Sequence, residues 1–95
     1  MVEVKYTAHL EFRLRMRNIS HKLPLTIYRL AEERYFDTST MHNIAIKHVK
    51  YGKKSMPFMI AYDKKKKRVE IVTIHPVSEA QIKARVEGKR WIKSG

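Results

Sequence analysis

The 95-residue chain has no cysteine, which excludes disulfides and thiolate metal sites and is compatible with a reducing compartment. Its three glycines form no Gly-rich phosphate loop. No apolar run is long enough to span a bilayer and no signal-peptide pattern is present, so a cytoplasmic protein without a membrane partner is expected. No carboxylate pair flanks a cleft and no Ser-His-Asp order is evident. His42 and His48 are six residues apart with no carboxylate beside them in sequence, so no metal site and no cofactor is expected. Acidic residues are scarce: nine, against 21 Lys and Arg, for a net charge of +12. That imbalance points to an anionic partner, nucleic acid first, although Lys-rich surfaces also serve solubility.

The remainder suits one globular domain over 1–95, with 43% hydrophobic and 32% charged residues. "VEVKYT" (2–7) alternates as a half-buried strand, and a helix follows to about Arg17. Asn18 fits a left-handed cap; Ser20 is placed to cap a second helix over roughly 21–35, with Pro24 in its first turn. Leu23, Ile27, Leu30 and Ala31 form its apolar stripe, leaving Glu32, Glu33 and Arg34 outside. The period then becomes two. Ile44, Ile46 and His48 share one strand face, "YGKKSMP" (51–57) reads as a loop, and "FMIAY" (58–62) reads as a central strand. "DKKKK" (63–67) is a solvated hairpin tip and "RVEIVTIH" (68–75) the next strand. Ser78 and Gln81 form a capping box for a helix anchored by Ile82 and Val86 and ended by Gly88; "KRWIKSG" trails off, with Trp91 as a packing anchor. The expected architecture is α+β, in the order β-α-α-β-β-β-α, with an antiparallel sheet of three to four strands and the helices on one face.

"HLEFRLRMRNIS" (9–20) carries the chemistry. On a helical wheel with His9 at zero, Arg13 and Arg17 fall near 40° and 80°, between Leu10 and Leu14 on one side and Phe12 and Met16 on the other. A basic stripe thus divides the apolar arc, where an unpaired guanidinium costs several kcal/mol if buried. The stripe implies either a groove that binds phosphate or side chains that snorkel to pair with Glu32, Glu33 or the C-terminus. Thr73 and His75 share strand parity with Val69 and Ile71 and would form the groove's floor beneath His9, Arg13 and Arg17. Lys47, Lys50, Lys53 and Lys54, with Tyr51 for stacking, and Lys83 and Arg85 on the last helix, are candidates for tracking a nucleic-acid backbone.

The pattern H-x-x-x-R-x-x-x-R-N-I-S, with "IVTIHP" closing the last long strand, resembles a small domain family of unknown function over about residues 5–76. The element order is similar to BrnT-type toxins of the RelE/ParE-like superfamily. Asn18 stands where that family usually has Gly, and the segment after it aligns loosely. The resemblance implies a RelE-like fold and a metal-independent endoribonuclease of toxin type. Its partners would be RNA, free or on the ribosome, and a small acidic antitoxin. For such a reaction His9 and His75 are the candidate acid–base pair, in either order, Arg13 and Arg17 the transition-state cations, and Thr73 the group that positions a non-bridging oxygen. A non-catalytic module that binds nucleic acid or a partner is the alternative on the same fold.

Overall fold

The computed structural model describes residues 2–94. Strand β1 (Glu3–Tyr6) ends at Thr7, whose hydroxyl accepts from the Leu10 amide and so starts helix α1 (Ala8–Met16). Asn18 takes the expected left-handed conformation, φ 52°, and turns the chain. Helix α2 (Leu23–Leu30) carries Pro24 in its first turn; its N-cap is Lys22, while Ser20 accepts from the Lys22 amide and shapes the preceding turn. Four strands follow: β2 (Glu33–Asp37), β3 (Asn43–Tyr51), β4 (Lys54–Lys65) and β5 (Arg68–Pro76). Helix α3 (Glu79–Glu87), with the expected Ser78–Gln81 capping box, leads to β6 (Trp91–Lys93).

The class is α+β, as expected, but the sheet is mixed. Its order is β1-β5-β4-β3-β2-β6, with β1 parallel to β5 and every other pair antiparallel. Six strands replace the expected three to four because two further segments pair into the sheet. The second helix stops at Leu30 rather than near 35: Ala31 is extended, and "ERYFD" pairs with β3 on one side and β6 on the other. "KRWIKSG" does not trail off; Trp91, Ile92 and Lys93 form β6. Residues 51–57 are a tight hairpin rather than a loop. Gly52, at φ 68°, makes the turn, and β4 begins at Lys54.

Helices lie on both faces, not one. Leu10 and Leu14 of α1 and Ile27 of α2 pack on Ala45, Phe58, Ile60, Tyr62, Val69, Ile71 and Ile74. Each fully buried aliphatic side chain contributes roughly 1.5–3 kcal/mol. Ile82 of α3 packs on the other face with Tyr35, Ile44, Ile46, Met59, Ala61, Val77 and Trp91. Val86, expected as a second anchor, is partly exposed, and Leu30 points to solvent. Arg34, expected outside, is half-buried and donates to the Tyr62 hydroxyl and the Tyr28 carbonyl.

A bulge in β5 decides where the candidate residues point. Tyr62 pairs with Ile71 but Ala61 pairs with Thr73, so Val72 has no partner in β4. Beyond it the parity reverses. Ile71 and Ile74 share the α1–α2 face, whereas Thr73 and His75 turn to the α3 face, away from Val69 and Ile71. Thr7 secures the bulge: its amide donates to the Ile71 carbonyl and its hydroxyl to the Val72 carbonyl at 3.1 Å.

Candidate functional site

On the α3 face, Thr73 and His75 border a cavity of about 140 Å³ whose lining includes His42, Asp37, Arg85 and Arg90. Sheet register orders it: His75 lies beside Met59 and Ile46, Thr73 beside Ala61 and Ile44, and Asp63 with His42 one row further.

His75 is half-buried, and its Nδ1 lies 3.1 Å from the Pro76 carbonyl oxygen. A carbonyl only accepts, so Nδ1 carries the proton and the neutral ring has its lone pair on Nε2. Burial lowers its pKa; the Pro76 contact opposes this, and the charges of Arg13, Arg17 and Arg85 lower it further. His75 is thus a neutral base at neutral pH.

Those three cations arrive from two elements. Helix α1 buries Leu10 and Leu14, and the stripe flanks them instead of facing the core. Arg13 is half-buried with an Nε that has no hydrogen-bond partner in the structure, and Arg17 is exposed. Arg85 lies 5.4 Å from the Trp91 ring centroid, held by cation–π attraction that leaves its charge uncompensated. Among the described residues, none of the three has a carboxylate within 4 Å; of all the Lys and Arg residues only Lys5, Arg68 and Arg90 do.

Asp37 is the cavity's buried carboxylate, only 3% exposed. It accepts from Trp91 Nε1 at 3.0 Å, from Arg90 Nε at 3.2 Å, and from the Ser39 and Thr40 amides. Burial alone would raise its pKa, but these donors outweigh it and hold the carboxyl at about 2. Its charge is therefore spent on fixing Arg90 and Trp91. His42 Nδ1 lies 2.6 Å from Asp63 Oδ1, which orients the ring at the other end of the cavity.

The expected constellation divides. Of the three arginines Arg85 lines the cavity beside Thr73. Arg13 and Arg17 act on His75 only through their charge, because α1 packs on the opposite sheet face, so the expected roof of His9, Arg13 and Arg17 does not stand over Thr73 and His75. His9 is exposed one turn before Arg13 and does not line the cavity. Lys50 lines a separate cleft with Asn18, Lys22 and Thr26. Lys53 and Lys54 are exposed at the β3–β4 hairpin, Lys83 is exposed on α3, and Lys47 pairs in register with Phe58. The side chain of Tyr51, expected to stack, lies outside the described residues. Sequence reasoning missed His42, Asp37, Arg90 and Trp91 as lining residues. His42 shares parity with Ile44 and Ile46, which was the available signal.

Among the described residues no group of three His, Asp or Glu is placed to hold a metal ion, and no helix is long and apolar enough to cross a membrane. Comparison of the chain with protein-family models, curated proteins and solved structures finds no match in any of the three.

Proposed function

We propose that this protein binds RNA across the His75 cavity and cleaves it without a metal, by attack of a ribose 2′-hydroxyl on the adjacent phosphodiester. The observation that carries the reading is a neutral imidazole lining the cavity, its lone pair left on Nε2, under the influence of three arginine charges that have no carboxylate within 4 Å among the described residues. Nε2 of His75 takes the 2′-hydroxyl proton, the 2′-oxygen bonds to phosphorus, and the bond to the 5′-oxygen breaks. His42, oriented by Asp63, returns a proton to that leaving oxygen; it takes this role from His9 because it lines the cavity. Thr73 donates to a non-bridging oxygen. Arg13, Arg17 and Arg85 stabilise the charge that grows on the phosphorane. The products are a 2′,3′-cyclic phosphate and a 5′-hydroxyl.

This reading carries forward the likeness of the α1 signature to BrnT-type toxins. With it come a RelE-like classification, cytoplasmic RNA as the target and a small acidic antitoxin as partner. The excess of uncompensated cations also favours a second reading, RNA binding without cleavage. Incubating RNA with the purified protein in excess chelator separates the two. Cleavage with cyclic-phosphate ends is expected, slowed on the order of a hundredfold or more by His75→Ala or His42→Ala. Lys65→Ala, at the far hairpin, should leave the rate unchanged. Tight binding without cleavage, with or without ribosomes, would leave only the binding reading.

A further inference from the structure

Helix α1 leaves two large apolar side chains in solvent beside its own row of cations. Phe12 is 55% and Met16 69% exposed. Four residues apart, they form one row along the helix. The adjoining row is His9, Arg13 and Arg17; His9 is three residues before Phe12, and Arg13 three before Met16, which makes the rows neighbours. Glu11, the only carboxylate on α1, points away and binds His21 at 2.9 Å. A ring and a thioether therefore stand beside cations that have no carboxylate within 4 Å among the described residues. The matching ligand is flat and apolar on one side and anionic on the other.

We infer that Phe12 is the platform on which one unpaired base of single-stranded RNA stacks, with Met16 at the base's edge and the adjoining phosphate on Arg13 and Arg17. The inference rests on the reading that the cavity takes RNA, and it specifies the form: single strand, not duplex. Bases in a duplex are stacked within the helix and cannot cover a protein ring. On α1 the large apolar side chains left exposed are Phe12 and Met16 alone, a patch of two side chains set among cations that suits one base. A single base needs one ring face.

The test is anisotropy with a labelled 2′-O-methyl RNA of about a dozen nucleotides, several times a typical stacking site, single-stranded and annealed to its complement. The methyl group blocks cleavage, so binding is read alone. Phe12→Ala should weaken single-strand binding about tenfold and leave duplex binding unchanged. Phe12→Leu, apolar but without a ring, should lose as much. Phe12→Trp should retain affinity, and its exposed indole should be quenched by the single strand; Trp91 is buried. Phe12→Leu binding like wild type, or Phe12→Ala weakening both forms equally, overturns the platform. If Arg13→Ala and Arg17→Ala weaken single-strand binding while Phe12→Ala does not, the platform falls and the cavity reading stands. If wild type binds neither RNA form, both fall. A poly-glutamate peptide that binds wild type but not Phe12→Ala replaces the nucleotide with an acidic protein partner.

Discussion

At the scale of single residues, charge placement rather than charge number sets the chemistry. Arg90 is spent on Asp37, whereas Arg13, Arg17 and Arg85 remain free to act on His75. Each of Arg13→Ala, Arg17→Ala and Arg85→Ala should raise the pKa of His75, because each removes a charge that disfavours imidazolium. The acid limb of kcat/KM against pH, which reports the free enzyme's base, should shift upward in step. In wild type that limb should fall below pH 6.5, the ordinary histidine value from which His75 is lowered. Arg13→Ala or Arg17→Ala should also reduce rate more than RNA affinity. Asp37 makes a different prediction. Its carboxyl titrates near 2 when folded, against an ordinary 3.8, so it contributes on the order of 2 kcal/mol of stability. That stability is present above the unfolded pKa and lost as pH falls through the folded one. Asp37→Ala should cost about 2–3 kcal/mol in urea unfolding, since the buried Trp91 Nε1 and the Ser39 and Thr40 amides lose their acceptor, while Arg90, 40% exposed, can turn to water. It should also flatten the pH dependence of stability between about 4 and 2.

At the scale of elements, one imidazole adds a polar tie between α3 and the sheet to the packing of Ile82. His48 places Nδ1 2.8 Å from Glu32 and Nε2 2.9 Å from Glu79. Only the imidazolium donates to both. The Glu32 bond raises the His48 pKa, burial opposes it, and Glu79 adds to the rise. A raised folded pKa means that the tie is complete below pH 6.5 and lost as pH rises through the folded value. Amide exchange in the first turn of α3 should therefore quicken as pH climbs through that value, beyond the intrinsic increase, and His48→Ala should abolish the step. The same scale explains what the sequence left unreadable. The α1 wheel holds two apolar flanks, and only packing against β5 and α2 selects Leu10 and Leu14 over Phe12 and Met16. Residues 31–35 contain no Gly or Pro to stop a helix, and "ERYF" becomes a strand because β3 and β6 supply pairing partners distant in sequence. The bulge at Val72 coincides with a break in the alternation, the apolar pair Ile71–Val72. That pair reads equally well as a strand buried on both faces, and Thr7, 65 residues away, is what fixes the bulge.

At the scale of the whole molecule, the net charge of +12 was legible at once, while its distribution was not. Periodicity singled out Arg13 and Arg17 and the strand end singled out Thr73 and His75, but the cavity holds Thr73, His75 and Arg85, while Arg13 and Arg17 reach His75 only through their charge. Lys47, Lys50, Lys53, Lys54 and Lys83 lie elsewhere, because a lysine's position in sequence does not reveal which sheet face or hairpin tip receives it. If the arginines contact phosphates, RNA affinity should fall linearly on a log–log plot against salt. Replacing Arg13, Arg17 and Arg85 together should reduce the slope by about 2, at roughly 0.7 per phosphate contact on a single strand. Lys65→Ala should leave the slope unchanged.

A histidine-selective NMR titration reads whether His75 is a neutral base in the field of cations that receive an RNA phosphate. In the free protein the His75 imidazole should titrate below its ordinary 6.5. On addition of the 2′-O-methyl single strand its pKa should rise, because the phosphate neutralises Arg13, Arg17 and Arg85. A His75 that titrates at or above 6.5 in the free protein and does not respond to RNA would contradict the account.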